Sequence, residues 1–315
     1  MKHIRVIVAT GCVIAVAAVV PTHPGLAAPP VQAQSVAATS TLAVIATITV
    51  GSSPFGVAVN DGDDTVYVAN VFGSDTVSVI NGRTRTWDDT ITVGTLPYDV
   101  AVDGLGANAG LVYVTNSGGR TVSVINGRSL DDSGTITVGN IPVGVAVNQL
   151  DDTVYVTNSD DSTVSVINGR SLDDSDTITV GSNPIGVAVD QVDDTVYVTN
   201  RTSGTVSVIN GRSLDDSVTI PVGSNPIRVA VNDGDDTVYV TNFDDSTVSV
   251  INGRSLDDSV TIPVGNNPVG VAVDQNDDTV YVTNLSSGTV SVINGRLGVL
   301  TDDTITVGGN PYGVA

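Results

Sequence analysis

A module of 42 residues recurs along most of this chain, and that period narrows the fold more than any other feature. Tyr-Val returns at Tyr67, Tyr113, Tyr155, Tyr197, Tyr239 and Tyr281, in steps of 46, 42, 42, 42 and 42 residues. Val-Ser-Val-Ile-Asn-Gly-Arg ends at Arg83, Arg128, Arg170, Arg212, Arg254 and Arg296. A proline returns at Pro54, Pro97, Pro142, Pro184, Pro226, Pro268 and Pro311. Each unit holds four β-branched runs bounded by Gly, Asn, Asp or Pro, the composition of short strands. In the third unit they are 143–147 (VGVAV), 153–157 (TVYVT), 163–167 (TVSVI) and 177–180 (TITV), named A to D. Short connectors make such strands an antiparallel meander, and meanders repeated every 40 to 45 residues stack as propeller blades. The expected fold is all-β: a β-propeller of four-stranded antiparallel blades.

Three details fit that assignment. Pro221 and Pro263 fall in strand D of units four and five, and proline, which cannot donate to a ladder, belongs on an edge strand such as the outermost strand of a blade. Strand A carries Ala between valines, usually after Gly, as expected for strands crowded around a narrow axis. The single Tyr of strand B is expected to pack between neighbouring blades. A longer period is also present: Asn148 and Asn232 alternate with Asp190 and Asp274, and Asp-Asp-Ser alternates with Ser-Gly between strands B and C. The array reads as a duplicated pair of blades.

Val-Tyr-Val-Thr-Asn at 112–116, 154–158, 196–200, 238–242 and 280–284, with Val-Tyr-Val-Ala-Asn at 66–70, resembles the signature of the YVTN β-propeller repeat family (the YncE-like, surface-layer-type group). The Pro-x-Gly-Val-Ala-Val and Val-Ser-Val-Ile-Asn runs are similar to the same blade pattern, and the resemblance covers residues 42–315. It implies a propeller, commonly seven-bladed, in exported or surface proteins, with no shared activity and no shared catalytic residues. Six blades are complete. Before them lies one D-like run, 46–50, and after them one A-like start, 311–315. Together these are expected to form an incomplete seventh blade that lacks strands B and C, roughly 27 residues by the repeat arithmetic; the alternative is a six-bladed ring with two loose ends.

The amino terminus reads as a secretory signal over 1–27. Lys2 and Arg5 precede an apolar run, 6–20, that is short for a membrane span, and Gly25-Leu26-Ala27 offers a cleavage site. Residues 28–40 read as a flexible leader, and the propeller occupies 41–315. Thr10-Gly11-Cys12 faintly resembles a lipidation site, although the apolar run continues past Cys12. The expected location is outside the cell, at its surface or in the periplasm, with no integral membrane segment after cleavage.

Composition limits the chemistry. All 34 acidic residues are Asp, and the His, Cys and Lys residues end at His23. That excludes a Ser/His/Asp triad, a thiol nucleophile, zinc or haem ligation and a paired-Glu glycosidase in the mature chain. Beyond the leader, 10 Arg stand against 34 Asp, a net charge of −24. Such a surface repels nucleic acid and anionic membranes. Asn200 and Asn284 lie in glycosylation sequons, and Trp87 is expected to cover strand edges.

Connectivity sorts these charges. Connectors A–B and C–D emerge on one face and carry 28 of the 34 Asp; connectors B–C and D–A emerge on the other and carry six. On the acidic face Asp61, Asp63 and Asp64, and Asp233, Asp235 and Asp236, gather carboxylates in tight loops of the kind that takes Ca²⁺, although the spacing is not that of a twelve-residue Ca²⁺ loop. The alternative is that these Asp start turns and confer solubility. The Arg of each Asn-Gly-Arg corner is expected to pair with the Asp three and four positions on, as Arg170 with Asp173 and Asp174. The opposite face is where the repeats disagree. Phe72, Arg120, Arg201, Phe243 and Leu285 lie between strands B and C, and Asp99 and Arg228 replace a Gly near the start of strand A. These are the candidate binding residues, of the types that anchor interfaces. The reading is a non-enzymatic scaffold that binds a protein or envelope ligand. The alternatives are a metal-dependent propeller lyase or lactonase and a Ca²⁺-dependent surface-layer component.

Overall fold

The computed structural model describes residues 5–10, 13–21, 40–105 and 109–315, so the expected cleavage site, most of the leader and Cys12 lie outside the described residues. The described residues form seven four-stranded antiparallel sheets and no helix. Six are the expected blades, each from one continuous repeat. In blade three, strands A to D are Pro142–Asn148, Thr153–Asn158, Thr163–Asn168 and Asp173–Thr179, hydrogen-bonded in that order. The innermost strands of successive blades lie side by side around the ring.

The seventh sheet joins the two ends of the chain. Strand A is Pro311–Val314 and strand D is Ser40–Thr49, the sharing expected from the sequence. The middle positions, expected to lack residues, are occupied by Arg5–Thr10 and Val13–Pro21 from the apolar amino-terminal run. Val8 pairs with Val314, and Ile14 with Ile48. The physical reason is composition: an Ala/Val/Ile run suits a buried strand as well as a signal core.

The cores lie between blades, not within them. One cluster joins Tyr113, Val122, Val124 and Ile136 of blade two to Val145, Val154, Val156 and Ile167 of blade three, and each further seam repeats it. Each Val or Ile buried there contributes about 1.5–3 kcal/mol. The Tyr of strand B is buried as expected, its ring against the next blade. Tyr67 Oη donates to the carbonyl of Gly127, 3.3 Å away.

The Asn-Gly-Arg corner is packed under that Tyr, and its Arg pairs differently from the expectation. The glycine is there for space: a Cβ on Gly127 would sit 2.6 Å from the Gly110 carbonyl and from Tyr67 Oη. The positive φ falls three residues on, at a Leu in four units (Leu130, Leu172, Leu214, Leu256; φ 57–59°). Asn126 Oδ1 accepts the backbone N–H groups of Arg128 and Ser129, which closes the turn. Arg170 reaches Asp152 in the A–B turn (Nε to Oδ2, 2.7 Å), not the expected Asp173, and the side chain of Asp174 lies outside the described residues. Arg83, Arg212, Arg254 and Arg296 make the equivalent pairs with Asp64, Asp194, Asp236 and Asp278. These pairs confirm that connectors A–B and C–D share a face. Their Arg side chains are 62–82 % exposed, so each is worth only ~0–1 kcal/mol against the seam core.

Candidate functional site

The opposite face is built on the irregular start of strand A. In blade three the ladder slips between Pro142 and Val145, leaving Val143 and Gly144 out of register with strand B. The signature Thr repairs the slip. Thr157 Oγ1 accepts from Gly144 N (2.8 Å) and donates to the Ile185 carbonyl of the next blade (2.9 Å). Thr115, Thr199, Thr241 and Thr283 do the same. The signature Asn lies beneath: Asn158 Nδ2 donates to Thr163 and Ser165 hydroxyls, and a Cβ on Gly139 would meet its amide carbon at 2.5 Å. This scaffold fixes the residue after each Pro at the mouth of the channel.

Three of those residues are aromatic and, once the ring closes, belong to consecutive blades seven, one and two. Phe55 stacks on Tyr312 (centroids 4.0 Å, 25° between planes) and tilts against Tyr98 (4.7 Å, 49°). Ile185, Ile227 and Val269 complete the wall. The residue following is Gly in most blades because the next blade's backbone lies against it: a Cβ on Gly186 would stand 2.6 Å from the Ile227 carbonyl. Asp99 in blade two and Arg228 in blade five are the exceptions. They meet across the axis, Arg228 Nη1 donating to Asp99 Oδ2, which also accepts from Val145 N at 3.3 Å. Burial alone would lower the Arg228 pKa; the Asp99 carboxylate outweighs it and holds the guanidinium charged. Burial raises the pKa of the Tyr98 phenol, which keeps it neutral. The space left between these side chains is about 20 Å³, room for one water molecule.

The sequence candidates divide accordingly. Asp99 and Arg228 come together. Phe72 is 57 % exposed in the B–C loop of blade one, and Arg120 is exposed at φ 54°. Arg201 Nε donates to Asn225 Oδ1, while Phe243 and Leu285 are half-buried, their N–H groups on the Asn225 and Asn267 carbonyls. These stand around the mouth, not in it. Part of the B–C variation is structural: Asp161, Ser203, Asp245 and Ser287 all accept the D–A backbone N–H of the same blade seam. The aromatic trio was not among the sequence candidates; its signal was aromatic residues after Pro in only three units, adjacent only after closure. On the acidic face, Asp61 is exposed, Asp63 caps Thr65 N and Asp64 takes Arg83. Asp235 caps Thr237 N, Asp233 accepts from Gln191 N and Asp236 takes Arg254. Neither loop turns its three carboxylates on one point.

No family model matches the chain, and no curated protein matches it. Solved structures do. A protein of unknown function from Desulfotomaculum acetoxidans DSM 771 superposes with a TM-score of 0.79 at 15% identity, covering 99% of this chain and 98% of that one. Streptogramin B lyase gives 0.69 at 11% identity, over 83% and 86%. Hydrazine synthase of Kuenenia stuttgartiensis gives 0.67 at 20% identity, over 77% of each. At such identities the likeness establishes the fold, a β-propeller, and nothing finer.

Proposed function

We propose that this chain is an exported, non-enzymatic propeller of the YVTN-repeat kind, and that its mouth face binds a protein or envelope ligand across the surface. One observation carries the reading: the mouth is plugged by the Asp99–Arg228 pair and the Phe55–Tyr98–Tyr312 cluster. A space of about 20 Å³ holds no substrate, so recognition falls to the rim, where Phe72, Arg120 and Arg201 are exposed and Phe243 and Leu285 half-buried. Aromatic and Arg side chains on a rigid frame are what interface anchors consist of. The lyase reading is less favoured because Asp99, the one mouth carboxylate among the described residues, is already neutralised by Arg228. Export is proposed from the amino-terminal run. A chain cleaved there would also lose strands B and C of blade seven.

The test is binding of the purified protein to isolated cell envelopes. Phe72→Ala combined with Arg201→Ala should weaken it at least about tenfold, as loss of two anchors does, while Asp151→Asn on the acidic face leaves it unchanged. Equal binding by all three, or metal-dependent turnover in a lyase and hydrolase screen, would contradict the proposal.

A further inference from the structure

The Asn/Asp alternation at the end of strand A has a physical consequence on the acidic face. There, the last residue of strand A in one blade meets the fourth residue of the A–B turn in the next. Between blades three and four, Asn148 Nδ2 donates to Asp194 Oδ1 at 2.8 Å. Between blades five and six, Asn232 Nδ2 donates to Asp278 Oδ1 at 2.9 Å. At two further seams the amide is replaced by a carboxylate. Asp103 faces Asp152 between blades two and three, and Asp190 faces Asp236 between blades four and five. All four Asp are at least nine-tenths buried.

The two Asp–Asp seams lack the N–H that joins the others. Asp103 Oδ1 takes Leu105 N and Asp152 Oδ2 takes Arg170, but Asp103 Oδ2 and Asp152 Oδ1 are buried with no hydrogen-bond partner. At the second seam Asp193 joins Asp190 and Asp236, and one oxygen from each lies within 4.8 Å of the other two. Burial and the nearby charge of Asp236 push the Asp190 carboxyl up. Two buried carboxylates face to face repel unless something positive lies between them.

We propose that each Asp–Asp seam holds a Ca²⁺ ion that bridges adjacent blades, through Asp103 and Asp152 at one and Asp190, Asp193 and Asp236 at the other. The donors are all hard oxygens, the class Ca²⁺ and Mg²⁺ take. Of the two, Mg²⁺ keeps several of its waters and is seldom caged by protein oxygens alone, whereas Ca²⁺ accepts carboxylates in flexible geometry, so these seams fit Ca²⁺. The cation then does at these seams what the Asn amide does at the alternate ones.

That equivalence supplies the test. Asp103→Asn and Asp190→Asn rebuild each seam in the form the chain already uses elsewhere, so both variants fold. Calorimetric titration of the full chain with CaCl₂ should show two sites, half-saturated at about 10⁻⁴–10⁻³ M, and added Ca²⁺ should raise Tm. Each single variant should lose one site, and the double variant both sites and the Tm response, while melting above the Ca²⁺-free parent. Absence of binding at millimolar Ca²⁺, including the case in which only acid raises Tm because a shared proton fills the gap, overturns the proposal. So does binding that the double variant retains.

Discussion

Two residues in each of the six complete blades hold unusual states, and each gives a prediction. The first is the buried Tyr of strand B. Burial, aided by nearby Asp charge, lifts Tyr67, Tyr197 and Tyr239 from the ordinary value of 10.0 to about 12, and raises Tyr113, Tyr155 and Tyr281 likewise. The folded state then holds more protons than the unfolded one above pH 10. Its stability is intact below pH 10 and is lost as pH rises through about 12. Phenolate absorbance from these six residues should rise together with loss of the β signal, in one transition well above pH 10. Gradual ionisation centred at 10 in a still-folded protein would contradict this. The second is the residue before each Pro, held at φ 50–58° so that its carbonyl meets the N–H opening the B–C loop. Four of the seven positions have Asn there, a residue that tolerates this region; unit three has Ile141 at φ 50°, where a β-branched side chain is strained by about 1–2 kcal/mol. Ile141→Asn should raise the free energy of unfolding in urea by about 1 kcal/mol.

At the scale of the strand, the Val-Tyr-Val-Thr-Asn segment has a division of labour. The valines and Tyr fill the seams, Asn supports the D–A glycine, and Thr bridges two inner strands. Thr157→Val keeps the shape and removes the hydroxyl. It leaves Gly144 N and the Ile185 carbonyl without their bond, and should cost about 1–3 kcal/mol, measured by chemical denaturation. Strand identity and the meander were legible in the sequence because period-2 β-branched runs and turn residues are local signals. The extent of strand D was less so. Asp131 and Asp173 begin it instead of ending the turn, because a bulge opposite Val124 and Val166 lets the ladder continue past the Leu at positive φ. The use of Gly127 for clearance was not legible either, since its partner Tyr67 belongs to the preceding blade.

For the whole molecule, the repeat revealed the ring, the two faces and the blade shared by both chain ends. It could not reveal that an Ala/Val run with leader chemistry also completes that blade, because apolar β-branched residues serve both purposes. Nor could it bring Asp99 to Arg228: 129 residues apart, they meet only if blades two and five face each other across one axis. Their departure from Gly marked both as candidates; the partnership needed the ring. That pair is therefore where the account is most exposed. A double-mutant cycle with Asp99→Gly and Arg228→Gly, the residue most other blades carry, measures it directly. Each single change should cost about 3–5 kcal/mol by stranding a buried charge, and the double change far less than their sum, a coupling of at least about 2 kcal/mol. Additivity within about 0.5 kcal/mol would mean the two never touch, and would contradict both the plugged mouth and the closed ring.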